Sequence, residues 1–170
     1  MENISSKKII YQYGLLTSLI SIAWQMVRIS TDTHYEDDTI SFIMGILIIL
    51  SGVVLAQLAY RKSNGGYIEY GKCLKIGVGV GAILALTGAI FNLIFTNVIE
   101  VDYYDKVIEI GYNKAMQDNP EMLQGATLQQ VKEYWGWLPK LAPAIIIGFT
   151  LFFSFLLSLC SGIIIKRKAD

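Results

Sequence analysis

The 170-residue sequence is 54% hydrophobic, charged at only 16% of its positions, and carries 14 basic and 14 acidic side chains. Soluble domains carry charge at roughly 25% of positions, so an ordinary water-soluble globule is excluded and a polytopic membrane protein fits. The balanced total gives no basic excess for nucleic acid, and two distant cysteines, Cys73 and Cys160, imply no disulfide framework.

Lys7 and Lys8 precede a charge-free run from Ile9 to Val27. At 1.5 Å per residue this run reaches roughly 28 Å, just enough to cross a hydrocarbon core of about 30 Å. It predicts a first span over about residues 9–29, with Trp24 as an interfacial anchor. A cleaved signal peptide, with Ser21-Ile22-Ala23 as the processing site, is the competing reading. Apolar sequence continuing through Met26 argues against it.

A short acidic loop follows, holding Asp32, Glu36, Asp37, Asp38 and the single histidine, His34. A lone histidine among carboxylates suits a metal ligand or a pH sensor, but in a loop the expectation is a solvated side chain. The second span is predicted over 39–60, with Ser41, Gly45, Gly52 and Ala56 as its small positions. Residues 61–75 then read as a basic loop, its Ser63-Asn64-Gly65-Gly66 segment marking a turn. The glycines lack the strand and the Lys-Ser/Thr ending of a phosphate loop.

The third span, predicted over 74–99, contains 24 consecutive residues without charge, Ile76 to Ile99. Gly77, Gly81, Ala85 and Ala89 recur at every fourth position, which on a helix is one continuous small-residue stripe. A second helix can approach such a stripe closely. The fourth span, predicted over 141–165, repeats the pattern with Ser154, Ser158 and Gly162, so these two helices are expected to pair face to face. Between them, residues 100–140 form the one long polar segment. Val101, Tyr104, Ile108, Gly111 and Ala115 keep helical spacing, as do Leu128, Val131, Trp135 and Leu138 after Asn119-Pro120 interrupts it. Two amphipathic helices are predicted there, the second opened by a Thr127/Gln130 capping box. Tyr134, Trp135 and Trp137 mark the return to the membrane interface.

Basic residues orient the chain. Nine fall on the side of the termini and the 61–75 loop, and five on the other, whereas acidic residues divide three to eleven the opposite way. The positive-inside rule places both termini in the cytoplasm. The fold class expected is therefore an all-α membrane protein, a four-transmembrane-helix bundle with a helical extracytoplasmic hairpin between the third and fourth spans, all one domain.

Tyr13-Gly14, the segment Tyr67-Ile68-Glu69-Tyr70-Gly71-Lys72 with Leu74-Lys75 and Gly77, and Ser158-Leu159 through Gly162 to Lys166 carry a resemblance. The chain resembles, over nearly its whole length, the small bacterial inner-membrane proteins of domain of unknown function 4199. Glu69 departs from the pattern, standing where a small polar residue is expected. The resemblance implies location and architecture, with no activity, substrate or cofactor to carry over.

No catalytic, cofactor or metal constellation stands out. Asp102, Asp105 and Glu109 share one helix face but read as its solvated side. The predicted membrane cores hold no ionisable group of the kind that ion relays use. Their neutral polar residues Gln25, Gln57 and Asn92 are candidates for solute contacts or interhelical hydrogen bonds. Arg28, at the outer end of the first span, is expected to snorkel toward water and to pair with Glu100 or Asp102. The favoured reading is a non-catalytic structural or interaction component of the envelope, its partners membrane lipid, other copies of itself or other membrane proteins. A small-solute transporter or channel subunit acting as an oligomer is the alternative.

Overall fold

A computed structural model describes residues 5–35 and 39–167. Glu36, Asp37 and Asp38 of the acidic loop, and Glu2, Lys168 and Asp170 of the charge count, lie outside the described residues. Six α-helices account for most of the described chain: α1 Ser6–Ser30, α2 Thr39–Ser63, α3 Tyr70–Ile94, α4 Tyr103–Asp118, α5 Leu128–Trp135 and α6 Leu138–Ile165.

Three stretches are long and apolar enough to cross a membrane: Thr39–Ser63, Tyr70–Ile99 and Leu138–Ile165. Helix α1 stands apart from them because Tyr11, Gln12, Tyr13, Thr17, Ser18, Ser21 and Gln25 dilute its hydrophobicity. It nevertheless packs with them. Helix α3 contacts α1, α2 and α6, and α2 also touches both α1 and α6, while α1 and α6 make no comparable pairing. The order around the bundle is thus α1, α2, α6, α3, with α2 and α3 across the short diagonal. The most extensive interface is between α3 and α6.

Helix ends differ from the sequence expectation where polar residues enter a terminal turn. Residues 61–75 are not a loop throughout: α2 runs on to Ser63 and α3 begins at Tyr70, so Lys72 and Lys75 are helical. Long lysine side chains reach polar surroundings from a helix end, which lets the backbone stay helical beyond the apolar run. Only the turn between remains, with Gly65 and Gly66 at φ +69° and +92°, a region open to glycine at no steric cost. Arg61 secures this turn by donating from Nε to the Gly66 carbonyl at 3.2 Å and from Nη1 to that of Ile165 at 3.4 Å. An isolated antiparallel bridge joins Ile68 to Arg167, with N–H···O bonds of 3.0 and 2.9 Å.

At its other end α3 does not simply stop. Phe95–Ile99 forms a π-helical turn, closed by the Glu100 N–H bonding to the Phe95 carbonyl five residues back at 2.7 Å. Helix α6 starts three residues before the expected span, with Pro139 in its first turn, where the missing N–H costs nothing. Pro143 lies inside α6.

The hairpin forms where the pattern predicts it. Helix α4 ends at Asp118, a 3-10 turn occupies Pro120–Leu123, and α5 opens with both halves of the Thr127/Gln130 capping box in place. Leu138 belongs to α6 instead. The two short helices pack on each other, with Lys132 3.6 Å from Glu109 and the Tyr112 hydroxyl donating to Ala126 O at 3.2 Å. Neither buries a residue.

Candidate functional site

Two polar features are built into the helix bundle: a seam along α3 and α6, and a cluster where α3 ends. In the seam, the Gly77 position faces Ser158 and the Gly81 position faces Ser154. A Cβ on Gly77 would lie 2.6 Å from Ser158 Cβ and 2.9 Å from Val53 Cγ1. Ala85 and Ala89 continue the stripe and are buried. One on Gly162 would approach Cys73 Cβ to 3.1 Å. Small residues also set the approaches of α1. Gly14 lies against Ile83 of α3, and Gly52 of α2 against Thr17, whereas Gly45 has open space.

Gln57 sits at the centre of this packing, fully buried at 0% exposure. Its amide donates to the Cys73 carbonyl and to Ser158 Oγ, both at 3.2 Å, and Ser158 Oγ donates to the same carbonyl at 3.1 Å. One side chain thereby ties α2 to α3 and α6. Gln57 Oε1 and Ser154 Oγ are buried with no hydrogen-bond partner among the described residues.

The second feature centres on His34, and here the expectation of a solvated histidine is overturned. Its ring is tilted by 35° against Tyr35 at a centroid distance of 4.0 Å, stacked with Tyr103 at 6.1 Å, and edge-on to Phe95 at 5.9 Å. Only 6% of the residue is exposed. His34 Nε2 lies 3.0 Å from Glu100 Oε2, and the Tyr35 hydroxyl donates to Glu100 Oε1. Lys106 completes the arrangement, 2.9 Å from Glu100 Oε1 and 3.1 Å from Asp102 Oδ2. The partners suggested for Arg28 are thus engaged elsewhere. Arg28 Nη2 donates to the Thr33 carbonyl at 2.6 Å, bracing the same loop from the end of α1.

Burial alone would push the Glu100 carboxyl up, but hydrogen bonds from Lys106 and His34, together with the Lys106 charge, outweigh it and hold the carboxyl below its ordinary range. An ionised carboxylate only accepts hydrogen bonds, so the proton in the His34–Glu100 contact is on Nε2. The other ring nitrogen, Nδ1, is buried with no hydrogen-bond partner among the described residues.

His34 also lines a cavity of about 230 Å³ bordered by α1, α3, α6 and the start of α4. Ser21, Gln25 and Asn92 supply its other polar groups, and Phe91 and Phe95 its aromatic wall. Asn92 Oδ1 is in hydrogen-bond contact with the Tyr104 hydroxyl at 3.2 Å. Of the polar residues singled out in the sequence, Gln25 and Asn92 therefore meet at one cavity, Gln57 lies in the separate seam and Arg28 braces the loop. The pairing of His34 with Glu100 is the contact that the sequence analysis does not anticipate. A signal existed: successive antiparallel spans bring the loop before the second span and the residue after the third to the same end. That juxtaposes the single histidine with the first carboxylate after the third span.

Predominantly helical, with three helices long and apolar enough to cross a membrane, the chain has the make-up of a membrane protein. It belongs to the family described as protein of unknown function DUF4199, whose model matches residues 12–167. Comparison with curated proteins and with solved structures gives no match.

Proposed function

We propose that the protein is a non-catalytic contact component of the bacterial inner membrane, crossing it four times with both termini in the cytoplasm. Support for α1 as the fourth span comes from its outward face. Leu15, Leu16, Leu19 and Val27 are exposed there although α1 packs against two apolar helices, so the same hydrocarbon covers all of them. The distribution of lysine and arginine supports the orientation and puts the α4–α5 hairpin outside.

The observation that carries the contact role is the hairpin. It packs on itself, buries no residue, and leaves Met122 76% and Tyr134 72% exposed beside Trp135 and Trp137. Such an aromatic edge next to a membrane-entering helix suits the lipid interface and a neighbouring membrane protein seated there. A photo-crosslinking side chain at Tyr134 tests this in cells: a discrete protein adduct is expected, and its absence beside lipid adducts alone would defeat the reading. Compartment reporters fused to each terminus should both report cytoplasm.

The cavity favours a second reading, a small-solute path formed by an oligomer. Saturable, mutation-sensitive flux in proteoliposomes would establish that reading in place of the first.

A further inference from the structure

We propose that the cavity beside His34 is a binding site for one small, neutral, single-ring molecule carrying a hydroxyl or N–H donor. The donor docks on the His34 Nδ1 lone pair while the ring lies against Phe91 and Phe95. Three observations converge on this occupant.

The first is size. An apolar cavity of about 150 Å³ accepts benzene, so about 230 Å³ accommodates a single substituted ring.

The second is polarity. With Nε2–H committed to Glu100 at 3.0 Å, a neutral imidazole has a lone pair on Nδ1 and nothing there to donate. That atom is buried without a partner among the described residues, and leaving a buried acceptor unmet is costly enough that native structures seldom do so. A ligand donor satisfies it; an anion or a metal ion does not suit it. The approach of an anion is disfavoured by Glu100 behind the ring, and no cluster of three metal-ligating side chains exists among the described residues.

The third is the shape of the wall. Gly88 borders the cavity, and a carbon added there would meet Ile146 Cγ2 at an ordinary 3.6 Å, so α3 and α6 stand at least a carbon's width apart here, unlike their close approach at Gly77 and Gly81. Gln25 and Asn92 offer amide groups for a second polar substituent on the ring.

Because His34 is the only histidine in the sequence, ¹⁵N-histidine labelling reports this site alone. The experiment titrates p-cresol, and toluene as its donor-free counterpart, into the full-length labelled protein in detergent. The expected result is a starting spectrum of the Nε2–H tautomer, then a saturable shift of Nδ1 with p-cresol and binding of toluene about tenfold weaker, the usual worth of one buried hydrogen bond. Gly88→Val should abolish the p-cresol response while leaving the Nε2 resonance in place, which shows the fold and the Glu100 contact intact. His34→Phe, followed by the tyrosine signals of the neighbouring rings, should likewise lose saturable binding. A proton found on Nδ1 or equal responses to the two probes would overturn the assignment by removing the hydrogen bond from it, no saturation by leaving a cavity that holds water only, and a response surviving Gly88→Val by placing the binding elsewhere.

Discussion

Exchanging glycine for alanine at two positions isolates what the α3–α6 seam contributes. Gly81 and Gly148 both lie inside long helices, so the gain in helix propensity, about 1 kcal/mol, is common to both changes and cancels in their difference. What remains is packing. A Cβ at Gly81 would fall on the Ser154 hydroxymethyl group, whereas one at Gly148 meets nothing within 4 Å. Overpacking by a single carbon costs about 1–3 kcal/mol, so Gly81→Ala should be less stable than Gly148→Ala by that amount, and Gly81→Leu less stable still. Leu at Ile90, which is exposed, should change stability by no more than about 0.5 kcal/mol. Pairing Gly81→Ala with Ser154→Gly moves the protruding carbon from one helix to the other and should recover most of the loss, a coupling of about 1–3 kcal/mol in a double-mutant cycle. Unfolding by SDS titration from mild detergent, followed by tryptophan fluorescence, measures each step. Equal effects at Gly81 and Gly148, or a cycle additive to within about 0.5 kcal/mol, would mean that the close approach of α3 and α6 is not set by these residues.

Gln57→Leu preserves volume while deleting two donated bonds, each worth about 0.6 kcal/mol between membrane helices, and it also deletes the unpartnered Oε1. The two effects offset, so the same titration should show a change of no more than about 1 kcal/mol, against several for Gln57→Glu, which buries a charge. The contribution of Glu100 depends on pH: its folded pKa is depressed, so its stabilisation of the 31–35 loop is complete above the unfolded value of about 4.3 and fades as the pH falls through the lower folded one. The His34 ¹⁵N signals should follow that loss, and Glu100→Gln should remove the acid-side dependence. Thr127→Ala removes the cap that receives Gln130 N–H at 3.4 Å and should weaken α5 by about 1 kcal/mol, read as faster amide exchange confined to residues 128–135.

Local patterns were legible in the sequence, and long-range partnerships were not. Four-residue spacing of Gly77, Gly81, Ala85 and Ala89 announces a packing face because helical periodicity is a local property, and the same holds for the break at Asn119-Pro120 and the Thr127/Gln130 box. Helix ends were harder. Charged Lys72 and Lys75 look like loop residues to a hydropathy argument, yet a terminal turn accommodates them. The His34–Glu100 contact joins positions 66 residues apart and depends on an irregular turn that no local pattern signals. Burial of Gln57 was visible as a polar residue in an apolar run, but its acceptor, the Cys73 backbone carbonyl, has no signature in side-chain identity.

The π-helical turn at Phe95–Ile99 fixes the aim of Glu100. A regular α-helix advances about 100° per residue, so trimming one residue from this turn to restore ordinary winding would swing the carboxylate roughly a quarter-circle away from the imidazole. The spacing between Phe91 and Glu100 therefore acts as a ruler: side chains along it tolerate exchange more readily than the backbone tolerates a change in count.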